Sequence, residues 1–403
     1  MKTYVFPGQG SQRKGMGENL FDEFPDLTKQ ADIILGYSIK ELCLDDPDKK
    51  LNQTQYTQPA LYVVNALSYQ KKIKDDEKLP DFLAGHSLGE YNALYAAGVF
   101  SFEDGLKLVK KRGELMSQAK NGGMAAIINS TEQQIQEILK DANLTTIDIA
   151  NLNSPSQIVI SGLKEDINNS QPYFGKANAM FIPLNTSGAF HSRYMKEAET
   201  EFGKFVKETK FSKPNIPVIA NVTGKPYGST KISQNLIDQM SNCVRWAESI
   251  QYLLDKGEME FEELGVGDVL TKLIRSIKKE YVPNGKPTED QPEQKAKSTK
   301  EKSDKTTSDN SKVETSVISK ESESKKEKPA VESKEILDPK NMVEQWNKDY
   351  SVGTKVISDF YDTELETRTE AMLLFGHRAA VYMKGYNGYF DLREVKPINP
   401  SKS

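Results

Sequence analysis

Histidine is scarce in this 403-residue chain: His86, His191 and His377 are the only three. Chemistry that needs an imidazole base must draw on one of them. Cysteine is scarcer still. Cys43 and Cys243 lie far apart with no CxxC or metal-ligand spacing, so they read as reduced thiols and not as a disulfide framework. No apolar run is long enough to span a bilayer. The opening Met-Lys-Thr-Tyr-Val-Phe runs straight into glycine-rich sequence, without the apolar stretch of a signal peptide. Charge of one sign is missing as well: 54 basic against 58 acidic residues give a net −4, no field for holding nucleic acid. The expectation is a cytoplasmic protein without nucleic-acid or membrane partners, and too long for one ordinary domain.

What is present centres on Phe82-Leu83-Ala84-Gly85-His86-Ser87-Leu88-Gly89-Glu90-Tyr91. A short apolar run, Gly-His-Ser-Leu-Gly and a helical stretch closed by Gly98 form the strand, sharp turn and helix of a nucleophile elbow. A Cβ at Gly85 or Gly89 would crowd that turn. Ser87 then stands at a helix N-terminus, where free N–H groups favour an anion such as a tetrahedral acyl intermediate. Upstream, Lys2–Phe6 reads as a strand followed by the loop Pro7-Gly8-Gln9-Gly10-Ser11-Gln12. The third glycine and acidic partner of a dinucleotide site are missing. The loop is either a surface turn or a means of bringing backbone N–H groups to a reacting oxygen.

Between these segments, apolar spacing over 18–42 interrupted by Pro25 predicts two short helices. Residues 52–60 read as polar, with a buried helix over 61–67, and Ser101 caps a helix reaching Gln118. From 122 to 184 the order β-α-β-β-α-β predicts a ferredoxin-like α+β subdomain inserted into a larger, α/β-hydrolase-like unit with a parallel sheet. The larger unit spans 1–121 and 185–283, closing with a strand at 261–264 and a helix at 269–279. Residues 284–335 form a disordered, charge-balanced tether: 286–335 holds 12 lysines, 12 acids and no aromatic residue. Residues 336–403 regain aromatics, and a hairpin signal at Tyr386-Asn387-Gly388-Tyr389 suggests a small β-rich module of SH3-like form.

With Phe6-Pro7-Gly8-Gln9-Gly10-Ser11-Gln12, Thr57-Gln58-Pro59-Ala60-Leu61, Gly85-His86-Ser87-Leu88-Gly89-Glu90, Arg112 and Gly188-Ala189-Phe190-His191-Ser192 in register, residues 1–283 resemble malonyl-CoA:acyl-carrier-protein transacylases. They are particularly similar to the free-standing acyltransferases that serve polyketide synthases in trans. The resemblance implies Ser87 as acylated nucleophile and His191 as its base, oriented by a carbonyl of Gln239. It implies an oxyanion hole from the N–H groups of Gln9 and Leu88, and Arg112 on the malonyl carboxylate. Phe190 would crowd an α-methyl branch of the acyl group, a discrimination of about 1–3 kcal/mol. No cofactor or metal is implied. Malonyl-CoA is the substrate and an acyl carrier protein the partner, in polyketide or fatty-acid biosynthesis.

The residue chemistry agrees. Neighbours on an elbow point apart, so His86 is structural or wall-forming, and His377 lies beyond the tether. That leaves His191 as the base. For Arg112 two readings stand: a member of an exposed basic face, or a fork matched to a carboxylate. Basic side chains at Arg193, Lys196, Arg275, Lys278 and Lys279 are candidates for docking an acidic carrier, or solvated surface. Two rivals remain: an acyl hydrolase of the same fold clearing carrier-bound chains, and an interaction protein recruiting a synthase partner through its C-terminal module.

Overall fold

A computed structural model describes residues 1–282 and 338–398, except 77, 229–230, 359–360, 375–377, 386–388 and 394. The tether, His377 and the centre of the expected hairpin lie outside the described residues. The chain divides into two compact units, Met1–Ala296 and Lys297–Ser403.

In the first unit the elements run β1 (Lys2–Phe6), α1 (Leu20–Glu23), α2 (Pro25–Leu35), α3 (Ile39–Leu44), α4 (Thr54–Asp75), β2 (Phe82–Gly85), α5 (Gly89–Ala96) and α6 (Phe102–Ser117). There follow β3 (Gly122–Ile128), α7 (Glu132–Asp141), β4 (Asp148–Ser154), β5 (Gln157–Leu163), α8 (Lys164–Lys176) and β6 (Met180–Pro183). A 3-10 turn at Arg193–Met195 leads to α9 (Lys196–Glu208), β7 (Val218–Ala220), β8 (Lys225–Pro226), α10 (Ile232–Asp238), α11 (Trp246–Leu254), β9 (Glu260–Glu263) and α12 (Val269–Glu280).

The architecture is mixed α/β. One sheet has the order β8-β7-β2-β1-β9, with β7, β2, β1 and β9 parallel and β8 an antiparallel edge. Its central strands are short apolar runs buried on both faces, as parallel strands between helices require. Residues 122–183 form a separate antiparallel sheet, β4-β5-β3-β6, with its own core around Ile127, Ile158, Ile160 and Phe174. Main-chain bonds between Leu152 and Val244, and between Val244 and Ala150, fasten this sheet to the larger body.

Three local expectations are corrected. The segment before residue 45 makes three helices, with Pro25 at the first position of α2, where its missing N–H costs nothing. Helix α4 begins at Thr54, not near Leu61, and carries Pro59 inside it. The polar residues there are buried and used, not looped out: Thr57 Oγ1 donates to the Leu51 carbonyl at 2.6 Å.

In the second unit, α13 (Pro339–Asp349) precedes β10 (Lys355–Ser358), β11 (Tyr361–Glu366), β12 (Met372–Leu374), β13 (Arg378–Tyr382), β14 (Tyr389–Asp391) and β15 (Val395–Pro397). They form two antiparallel sheets, β11-β10-β15 and β12-β13-β14, with a core that includes Trp346, Val356, Val381 and Phe390. The helix is the third correction, since the sequence reading expected strands alone; it buries Trp346 and sets it 4.8 Å from the Tyr350 ring.

Candidate active site

Strand β2 ends at Gly85 and α5 begins at Gly89, which leaves three residues to reverse the chain. The reversal holds Ser87 at φ 51°, a left-handed conformation that a serine adopts only under constraint. The constraint is packing: a Cβ on Gly89 would lie 2.0 Å from the Phe6 carbonyl oxygen, and one on Gly85 would meet the Gly89 carbonyl at the same distance. The elbow therefore presses directly on the end of β1.

Ser87 Oγ lies 2.8 Å from His191 Nε2. His191 Nδ1 lies 2.8 Å from the main-chain oxygen of Gln239. A carbonyl only accepts, so Nδ1 carries the proton and Nε2 is the bare nitrogen that takes the serine proton. His191 also sits at positive φ, 57°, on the loop before the 3-10 turn. Burial, reinforced by the nearby Arg112 charge, pushes its pKa down to about 3, so the imidazole is neutral and ready to accept.

Arg112 is on α6 and only 1% exposed, which removes the basic-face reading. Its Nη1 donates to Gln58 Oε1 at 2.7 Å, and Nη2 donates to both Gln239 Oε1 and Ser87 Oγ at 3.0 Å. Its Nε is buried without a hydrogen-bond partner among the described residues. Burial pulls its pKa below the usual guanidinium value, while Tyr91 and Glu90 act the other way. The base, the nucleophile and this cation thus meet at one oxygen.

Gln9 and Leu88 come together as well. A Cβ on Gly8 would stand 2.4 Å from the His86 carbonyl and 3.6 Å from the Leu88 nitrogen, so the first loop lies against the N-terminus of α5. Among the described residues, neither the Gln9 nor the Leu88 N–H has a hydrogen-bond partner. His86 is half-buried, with Nε2 2.8 Å from Asn153 Oδ1 and its ring 5.6 Å from Trp246 edge-to-face; burial lowers its pKa. It lines a cleft of about 380 Å³ with Gln9, Asn151, Asn153 and Thr186. Phe190 is buried in the main core, its ring packed over Gly188.

Sequence reasoning missed four groups under the elbow: Gln58, Asn221, Glu90 and Tyr227. Gln58 receives Arg112, as above. Asn221 accepts the Ser87 N–H at 2.7 Å and donates to the Gly85 carbonyl at 2.7 Å. Glu90 is buried; it takes hydrogen bonds from Tyr227 Oη at 2.6 Å, from the Asn221 N–H at 3.0 Å and from Gln239 Nε2. Burial pushes Glu90 up to about 7 against those bonds and the Arg112 charge. Glu90 ended a quoted motif and Gln58 sat in another, but nothing local in the sequence linked either to Arg112.

Of the surface cations, Arg193 is clasped by Asp148 at 3.0 Å, Lys196 pairs with Glu199, and Lys278 donates to the Met259 carbonyl at 3.1 Å. Arg275 and Lys279 are exposed on α12. Among the described residues no cluster of metal-ligating side chains occurs, and no helix is long and apolar enough to cross a membrane.

A family profile described as "Acyl transferase domain" matches residues 3–313. The polyketide biosynthesis malonyl CoA-acyl carrier protein transacylase PksC of Bacillus subtilis is 60% identical over 282 residues, covering 70% of this chain and 98% of that protein. The chain belongs to the malonyl CoA-acyl carrier protein transacylases of the acyl transferase family. Solved structures of the family agree. The Burkholderia pseudomallei malonyl CoA-acyl carrier protein transacylase is 52% identical, covers 70% of this chain and 99% of its own, and superposes with a TM-score of 0.69. A type II PKS acyl-carrier protein in complex with its malonyl-transacylase gives 35% identity, 68% and 92% coverage, and a TM-score of 0.66.

Proposed function

We propose that this chain moves malonyl from malonyl-CoA to the phosphopantetheine thiol of an acyl carrier protein, by a ping-pong mechanism. The observation that carries the reading is the convergence on Ser87 Oγ: a neutral imidazole at 2.8 Å and a buried guanidinium at 3.0 Å. A base and nucleophile alone fit any acyl group; a buried cation beside them fits an acyl group that ends in a carboxylate.

The malonyl carboxylate pairs with Arg112, which brings the thioester carbonyl to Ser87. Oγ attacks as its proton passes to His191 Nε2, and Nδ1–H stays on the Gln239 carbonyl so the imidazolium is held in place. The N–H groups of Gln9 and Leu88 receive the oxyanion. As the tetrahedral species collapses, the CoA sulfur takes the proton from His191. The carrier thiol then repeats the sequence in reverse, giving its proton to His191 and freeing Ser87. Phe190 disfavours a branched acyl group, and His86 forms part of the wall beside the thioester.

The same reading assigns residues 1–283 to the acyltransferase, with 1–121 and 185–283 as its α/β-hydrolase-like part. Residues 122–184 are its ferredoxin-like part, a reading supported by the strand order β4-β5-β3-β6. The enzyme works in the cytoplasm without a cofactor. The 60% identity to a polyketide-associated relative favours polyketide over fatty-acid synthesis. Residues 336–403 are a β-rich, SH3-like module for a synthase partner, joined by the tether 284–335. The test is radiolabelled malonyl-CoA followed by acyl carrier protein. Label held on Ser87 and passed to the carrier is expected; release as free malonate would instead identify a hydrolase.

A further inference from the structure

The Glu90 main-chain N–H donates to the Ser87 carbonyl at 3.1 Å, and its side chain reaches both sides of the Ser87 backbone through other residues. The Ser87 N–H is held by Asn221 Oδ1 at 2.7 Å, and Asn221 is itself anchored through its own N–H to Glu90 at 3.0 Å. The Ser87 carbonyl is held by Gln239 Nε2 at 2.8 Å, and that same nitrogen donates to the other oxygen of Glu90. With Nε2 fixed there, Gln239 Oε1 must face the opposite way, where it accepts Arg112 Nη2 at 3.0 Å. An amide has two ends of opposite character, so neighbours that only accept, the Ser87 carbonyl and the Glu90 carboxylate, and one that only donates, Arg112, together set which end points where.

We propose that Glu90 is a positioning residue: its carboxylate orients the Gln239 amide and the Asn221 backbone, and so sets the Ser87 elbow and the place of Arg112. This rests on the malonyl-transfer reading for its substrate. No amide at position 90 can satisfy the arrangement. With its oxygen toward Tyr227 and Asn221, its NH₂ meets the Gln239 NH₂. With its oxygen toward Gln239, its NH₂ meets the Asn221 N–H. In the first case Gln239 is pressed to turn, which would present NH₂ to Arg112 and an oxygen to the Ser87 carbonyl; in the second Asn221 loses its anchor.

The test compares wild type, Glu90→Gln and Tyr227→Phe in three readouts: thermal melting, the rate at which a fluorophosphonate probe labels Ser87, and kcat/KM for malonyl-CoA against acetyl-CoA. Losing a hydrogen bond to a charged group corresponds to about 10–100-fold, so Glu90→Gln should lose about that much for malonyl-CoA. Acetyl-CoA, which does not use Arg112, should lose less, so the malonyl-to-acetyl preference falls about tenfold; probe labelling slows in parallel. Tyr227→Phe should shift the preference about threefold, and it decides the matter if Glu90→Gln does not fold. A preference unchanged in the folded variants overturns the proposal, because a general loss of packing would lower both substrates alike. Should wild type fail to take malonyl, the transfer reading is at fault, and probe labelling alone tests Glu90: an unchanged rate in Glu90→Gln overturns it.

Discussion

Beneath the elbow, Gln58, Gln239 and Asn221 have both ends of their side-chain amides engaged, on Arg112, Met116, Ser87, Glu90 and Gly85. Along the cleft above it, Gln9, Asn151 and Thr186 each keep a buried oxygen without a partner among the described residues. The residue types are alike but the bonding is opposite. A buried polar atom left unpaired costs about 1–3 kcal/mol, so a saturated floor is rigid and an unsaturated wall gains by meeting a ligand. Among the described residues the floor's unpaired donors include Tyr91 Oη and Arg112 Nε, the latter on the side chain assigned to the substrate carboxylate. The difference separates two tasks: the floor fixes reacting groups in place, and the cleft is left to recognise the polar arm that carries the acyl group.

Variants should divide along the same line. Ser87→Ala removes the nucleophile and should abolish labelling by malonyl-CoA, a fall of at least about 10⁴-fold in kcat. Intact-mass detection of the acyl-enzyme reads this directly. His191→Ala should lower kcat about 10²–10⁴-fold with little change in KM, since the base acts on the transition state. In the cleft, Thr186→Val and Asn151→Ala should raise KM for malonyl-CoA about three- to tenfold and leave kcat nearly intact. A KM effect from His191→Ala, or a kcat effect from Thr186→Val, would break the comparison.

The pH profile sharpens it further. Only neutral His191 can accept the serine proton, and its pKa is pushed down from 6.5 to about 3. As pH falls, the free enzyme keeps its base until well below the usual histidine range, so His191 adds no acid limb to kcat/KM between pH 8 and 5; a limb near 7 belongs to Glu90, whose carboxyl is pushed up to about 7, and is lost in Glu90→Gln. An acid limb near 6.5 that persists in Glu90→Gln would mean that His191 is neither buried nor close to a cation as described.

Much of the site was legible because its chemistry falls in compact motifs: the elbow at 85–90, the loop at 7–12 and His191 in 188–192. Arg112 was ambiguous, since lysines 110 and 111 beside it make a solvated face equally natural; only its burial on α6 decides. Gln239 was reached through the resemblance, and its carbonyl does face His191. What stayed hidden was the support. Gln58 lay in a stretch read only as polar, whereas α4 runs through it and turns Gln58 inward to Arg112. Asn221 and Glu90 are joined across more than a hundred residues, a pairing that no local pattern encodes. Helix α13 was missed for a similar reason: Trp346 and the returning aromatics suggested strands, and the tertiary burial of Trp346 outweighs that preference.

The central claim is that the floor selects a carboxylated acyl group through Arg112. It is tested most directly by the rates at which wild type and Arg112→Ala are acylated on Ser87, each with malonyl-CoA and with acetyl-CoA, followed by intact mass. Loss of a buried charge pair costs about 2–5 kcal/mol, so malonyl acylation should fall at least about 30-fold. Acetyl acylation should hold or rise, which inverts the preference. Equal losses for both substrates, or an unchanged preference for malonyl, would contradict the account.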